Sequence, residues 1–340
     1  MNQGIAPIWK ALAIVGLTLL LSCHSRSSRP PGATREDSLL HSGILAPYTD
    51  SIRMYPNLPV FYFKRSERLY NLQEFGLSKA DLLQAIRLSP GDPAYYYGLG
   101  EVYLALEKPD SSRLEFLQAV GLDPGDPQVR LRLADVQFQL DSDAASSSEL
   151  DTLLQLDPKN AQAHGLRSQI LESGGDTARA IAEMETAVKL DPLDFDARMA
   201  LGDLFSATAN PKAVGQYQQA YDLDSTQAEP LYATGVFYEK LHQDDQAIAL
   251  WKRCILADHF YTGAYLGLGS IYYQRSDLKQ AAQMYQMATQ VDPRNAEAFY
   301  RLGRCEEAAG KKSVALEDYR QAYSLDRKLA AARDALKRLQ

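Results

Sequence analysis

One spacing constrains this chain more than any other feature. The tripeptide Leu-Asp-Pro, or a degraded copy, recurs so that its third residue falls at Pro56, Pro90, Pro124, Pro158, Pro192, Ser225, His259, Pro293 and Arg327. The interval is 34 residues at every step except one of 33, between Pro192 and Ser225. A phase held that long belongs to a chain built from one repeated supersecondary unit, because each unit buries its apolar face only against its neighbours. Proline lacks an N–H and disfavours helix in the residue before it, so each copy of the tripeptide ends a helix.

Read in this phase, eight units run from Pro59 to Leu329, and each fits two antiparallel helices. The second unit (Pro93 to Asp126) and the seventh (Thr262 to Asn295) carry the same landmarks. An aromatic (Tyr96, Tyr265) precedes Leu-Gly (Leu99-Gly100, Leu268-Gly269) and a tyrosine (Tyr103, Tyr272). A small residue (Ser112, Ala281), a ring (Phe116, Tyr285) and an alanine (Ala119, Ala288) follow. Small residues let the two helices approach, and the ring fills the space beside them. The set resembles the tetratricopeptide repeat (TPR). The resemblance implies an all-α solenoid of helix hairpins wound as a right-handed superhelix, and a protein that binds other macromolecules.

Three units depart from the pattern. The first has Arg65-Ser66 in place of Leu-Gly, which predicts a loose front edge. The fourth has His164 and Arg167-Ser168 at the aromatic and Leu-Gly positions, and the fifth is one residue short near Asn210-Pro211. Together these predict a bend or soft point around units four and five. Val129 to Leu133 alternates as a strand would, but helix spacing places Val129, Leu133, Val136 and Leu140 on one face and leaves Leu131 and Phe138 on the other.

The ends read differently. Lys10 precedes the apolar run Ala11 to Leu21, too short to span a bilayer but suited to the core of an export signal. The following Leu20-Leu21-Ser22-Cys23 resembles the lipobox of bacterial lipoproteins, which implies cleavage after residue 22 and acylation of Cys23. Residues 1–22 are then a signal peptide, and 23–42, rich in Ser, Arg, Pro and Gly, a flexible tether of roughly 25 Å reach. Residues 43–58 read as a capping half-repeat, 59–329 as the eight units and 330–340 as a closing helix. His24 lacks the aspartate that retains some of these lipoproteins in the inner membrane, which favours the outer membrane of the cell envelope.

What the resemblance implies for binding is local. TPR arrays present the first helix of each unit along a groove, lined by its fifth, ninth and twelfth residues. In units one to three these are Phe63, Glu67 and Tyr70; Tyr97, Glu101 and Leu104; and Leu131, Asp135 and Phe138. Each set flanks one carboxylate with two apolar side chains. Tyr232, Tyr273 and Tyr300 stand further along. Such a ribbon suits an apolar polypeptide segment, and its acids would select Lys or Arg. The expected role is a membrane-anchored scaffold in an envelope complex for assembly, secretion or maintenance. The rivals are an envelope glycan receptor and an enzyme with its site hidden in the groove.

Other chemistry finds little support in the sequence. With 43 acidic against 36 basic residues and a net charge of −7, the chain has no general attraction for nucleic acid. Cys254 and Cys305 stand two units apart at alanine positions and read as buried thiols. The glycine pairs Gly98/Gly100 and Gly267/Gly269 follow no strand, so they are not phosphate loops. The five histidines have no metal-ligand spacing, and no cofactor or metal is expected.

Overall fold

The computed structural model describes residues 35–339. The signal segment and Cys23 lie outside the described residues. Those described are helical throughout, with no strand among them. They fall into two compact units, the first ending at Leu88 and the second starting at Ser89. None of the described helices is long and apolar enough to cross a membrane.

The first unit holds α1 (Arg35–Leu40), α2 (Ala46–Met54), α3 (Pro59–Asn71) and α4 (Phe75–Leu88). Residues 35–40, assigned to the tether, are therefore helical. Glu36 and Asp37 favour the first turn of α1, Thr49 donates a 2.6 Å hydrogen bond to the Leu40 carbonyl, and Arg35 pairs with Glu74. Arg65, expected to loosen the front edge, instead makes a bidentate pair of 2.7 Å bonds with Asp81 of α4 and reaches Thr49 of α2. Charge and hydrogen bonds thus replace the leucine that most of the other repeats carry there.

The second unit continues as seven hairpins and a closing helix. The pairs are α5 (Pro93–Ala105) with α6 (Pro109–Leu122), α7 (Pro127–Gln139) with α8 (Asp143–Leu156), and α9 (Ala161–Ser173) with α10 (Thr177–Leu190). Next come α11 (Phe195–Ala207) with α12 (Lys212–Leu223) and α13 (Glu229–Lys240) with α14 (Asp244–Ala257). Last are α15 (Thr262–Gln274) with α16 (Leu278–Val291), α17 (Ala296–Ala308) with α18 (Lys312–Leu325), and α19 (Ala330–Leu339).

Local chemistry sets these boundaries. The last residue of a repeat caps the next: Asp92, Asp126, Asn160, Asp194 and Asn295 each accept a backbone N–H from the first turn that follows. Every hairpin turns through one residue with positive φ: Gln73, Glu107, Asp141, Gly175, Ala209, His242, Ser276 and Gly310. The N–H after it reaches back to the last turn of the first helix, as Lys108 does to Tyr103 and Asp277 to Tyr272, at 2.9 Å each.

The fourth residue of several repeats anchors the preceding turn. Tyr62, Tyr96 and Tyr265 donate through their hydroxyls to the carbonyls of Pro56, Pro90 and His259. Arg130 and Arg198 do the same to Pro124 and Pro192. His164 keeps this bond through Nε2, 3.2 Å from the Pro158 carbonyl, while Nδ1 lies 2.6 Å from Glu183. The fourth repeat therefore retains its geometry with different atoms.

The departures around units four and five are accommodated in the packing. The shortened fifth repeat is absorbed at the start of α12, which has 12 residues, and Phe205, Tyr217 and Phe237 are fully buried around it. Among successive helices of the second unit, α8 and α9 share the sparsest packing. Leu153 of α8 stands where other repeats carry alanine or Cys254, and it packs on Ala163 and Leu166 of α9. A leucine there spaces the two backbones.

Candidate functional site

The sequence-predicted face divides between the two units. In the first, Phe63, Glu67 and Tyr70 are half-buried on α3. The Tyr70 ring meets Phe75 edge-on at 5.3 Å. Burial pushes the Glu67 carboxyl above its ordinary range, against the pull of Arg68 and Lys64.

In the second unit the first helices lie side by side, α7 against α9 and α13 between α11 and α15. Tyr97 and Leu104 of α5 pack partly buried against Phe116, with the Tyr97 and Phe116 rings 5.6 Å apart. Gln128 donates to the Tyr97 hydroxyl at 3.0 Å, and burial together with the Glu101 carboxylate pushes that hydroxyl up to about 12. Leu131 and Phe138 pack beside Ala134 and Leu166. These side chains are half in the core and half open.

Two of the carboxylates are already engaged. Arg132 donates to both oxygens of Glu101, at 2.6 and 3.0 Å, and a third N–H reaches Asp135 at 2.9 Å. Glu101 is 7% exposed, so its charge faces Arg132 rather than solvent. The expectation that Glu101 would select a basic partner is thus corrected: Arg132, in the following repeat, neutralises it. The pairing was hidden because the two residues lie 31 positions apart. Asp203 is engaged as well, accepting the Tyr217 hydroxyl at 2.7 Å.

Further along, the aromatic positions are partly covered. Tyr232 packs on Tyr261 at 4.9 Å and near Trp251 at 6.3 Å. The Arg304 guanidinium lies 4.7 Å from the Tyr273 ring and 5.9 Å from Tyr300. Tyr300 itself packs on Tyr319. A cleft opens beside them, closed by α19 through the Arg338–Glu307 pair at 2.9 Å.

A cavity of about 370 Å³ opens between α7, α9 and α11, with α10 behind it. Leu131 and Asp135 border it as expected, joined by Gly165 and Gln169 of α9 and by Ala197 and Ala200 of α11. Gly165 and Gln169 hold the fifth and ninth positions of their repeat. A glycine at the fifth position, where other repeats carry a large side chain, is the signal in the sequence. Among the described residues no group of three or more His, Cys, Asp or Glu is disposed to hold a metal.

Comparison with known proteins decides the family. Tetratricopeptide-repeat family models match residues 63–127 and 171–230, 114–170, 269–304 and 296–329. This is a TPR protein. A tetratricopeptide repeat protein from Parabacteroides merdae ATCC 43184 shares the fold, with a TM-score of 0.54 and 14% identity. The match covers 73% of this chain and 98% of that one. YrrB, described as a TPR protein with an unusual peptide-binding site, aligns at 20% identity and a TM-score of 0.45 over 55% of this chain and 97% of its own. MamA aligns at 17% identity and a TM-score of 0.44 over 50% and 94%. Among curated proteins none matches the chain. The TPR fold makes this a protein–protein interaction scaffold.

Proposed function

We propose that this TPR protein is a lipid-anchored scaffold of the bacterial cell envelope that binds an extended or helical polypeptide. The binding face is the row of first helices α5, α7, α9 and α11. The observation that carries the reading is the row of half-open apolar side chains, Tyr97, Leu104, Leu131 and Phe138, running into the cavity at Gly165. Fully burying a large apolar side chain contributes about 1.5–3 kcal/mol, and these half-buried ones have roughly half of that still to gain. Three or four such groups would dominate the affinity. The anchor would be the acylated Cys23, since Leu20-Leu21-Ser22-Cys23 ends the one apolar leader-like run. One acyl chain holds a protein only marginally, and several hold it stably. His24 favours the outer membrane.

The glycan reading has less support from the rings, because Arg304 already lies over Tyr273 and Tyr300 packs on Tyr319. The test is cross-linking of the acylated protein in its own cells beside a Tyr97→Ala/Leu131→Ala/Phe138→Ala variant. Capture of a defined envelope protein by the native chain, lost in the variant, is expected. Equal capture by both would move binding off this face. Intact mass of the purified protein tests the anchor, and retention of Met1 would refute it.

A further inference from the structure

We infer that the cavity at Gly165 is a side-chain pocket that takes a lysine or arginine of the bound polypeptide. This rests on the polypeptide-binding reading and deepens it by naming the residue that the partner presents.

The first observation is the glycine. Gly165 lies inside α9 with ordinary helical backbone, and a β-carbon placed there would meet nothing within 4 Å. Gly100 and Gly269 behave differently, since a β-carbon on either would stand 2.5 Å from a buried ring. A mid-helix glycine costs stability against alanine. At Gly165 that cost returns nothing to packing or to a turn. Gly76, Gly121 and Gly215 are equally open but stand on second helices, away from this face. Gly165 alone of these four borders the cavity, and its missing side chain keeps the cavity open.

The second observation is the lining. Leu131, Leu166, Met184, Ala197 and Ala200 supply an apolar wall. The same lining carries Asp135, Asp194 and Asp196, against one cation, Arg132. That cation is committed to Glu101 and Asp135. Asp194 caps α11 by accepting the Ala197 N–H, and Asp196 is exposed. The lining therefore has an excess of negative charge and no free cation. At about 370 Å³ the cavity is large enough to admit a long side chain. Apolar side chains beside carboxylates that lack a free cation fit a side chain with a methylene stem and a cationic head.

Random peptides displayed on phage, selected on the full mature chain in detergent, provide the probe. Gly165→Leu fills the cavity, and Asp196→Lys reverses the charge at an exposed position. Circular dichroism checks that each variant is folded, and Asp196→Lys decides alone if Gly165→Leu is not. The expected result is a set of peptides enriched in Lys or Arg whose affinity falls about tenfold or more in each folded variant. Their binding should also weaken as ionic strength rises. Peptides without that enrichment, or with affinities unmoved by the variants, overturn the pocket and leave polypeptide binding standing. Failure to select any peptide removes both.

Discussion

Gly269 and Tyr285 meet across the seventh repeat so closely that a β-carbon on the glycine would stand 2.5 Å from the ring. The same relationship joins Gly100 to Phe116, Gly202 to Tyr217, Gly235 to Trp251 and Gly303 to Tyr319. In the other three repeats the eighth residue is Ser66, Ala134 or Ser168, and its counterpart is Leu82, Leu150 or Met184. Glycine occurs with a ring, and a larger residue occurs with an aliphatic side chain. The two helices of a hairpin hold a nearly fixed total volume at this crossing, as close packing demands.

That relationship makes a coupling prediction. Helix propensity alone would let Gly269→Ala stabilise the protein by about 1 kcal/mol. Against Tyr285 the added methyl overpacks, so the expected outcome is a loss of about 1–3 kcal/mol. On a Tyr285→Leu background the same change becomes neutral or stabilising. A double-mutant cycle by urea unfolding reads the coupling. Additive effects would show that the crossing has slack.

A second prediction comes from the hairpin turns. Ala209 holds φ at 53°, a left-handed conformation that glycine adopts freely and alanine does not. Ala209→Gly is expected to stabilise the fifth repeat by about 1 kcal/mol. Gly175→Ala, with φ at 81°, should lose a similar amount or more. Melting temperatures of the two variants moving in the same direction would contradict this.

The hairpins were legible because their signals are local and repeated: the closing Pro, the capping Asp or Asn, the small residues and the ring. The turn residues were not, since only Gly175 and Gly310 among the eight are glycine, and the backbone bond after the turn enforces φ on the others. The division at Leu88 was also hidden, because the 34-residue phase runs unbroken through it. At the candidate site the apolar positions were readable from helix spacing. The Arg132–Glu101 pair was not, since it joins the sixth position of one repeat to the ninth of the one before. The pocket at Gly165 was missed because its defining feature is an absent side chain.

The third prediction concerns Arg65 and Asp81, whose side chains are 11% and 8% exposed. Desolvation pushes the Asp81 carboxyl above its ordinary value even though Arg65 pulls it down. The pair as a whole therefore adds little. Removing only the cation leaves a buried charge alone, so Arg65→Ala should cost about 3–5 kcal/mol. Arg65→Leu/Asp81→Leu, restoring an apolar contact, should recover most of it. A double variant as unstable as the single one would show that the pair itself supplies the stability.

Asp318 is the case in which the charged partner is missing. It holds the position of Asp81, Glu149 and Glu183, which meet Arg65, Arg130 and His164, but its own repeat offers Phe299 and Leu302 there. One of its oxygens is buried without a hydrogen-bond partner. Burial, reinforced by Glu306 and Glu317, pushes its carboxyl from 3.8 up to about 6. The folded state therefore holds this proton more tightly than the unfolded chain does. Stability from this group is greatest at low pH, falls as pH rises between about 4 and 6, and is level above that. Asp318→Asn mimics the protonated form. It should stabilise the protein by about 1–2 kcal/mol near neutral pH once solvent screening is allowed for, and add nothing below about pH 4. Urea unfolding of both proteins across this range reads the difference. A gain that persists unchanged in acid would mean that the carboxylate's charge is not its cause.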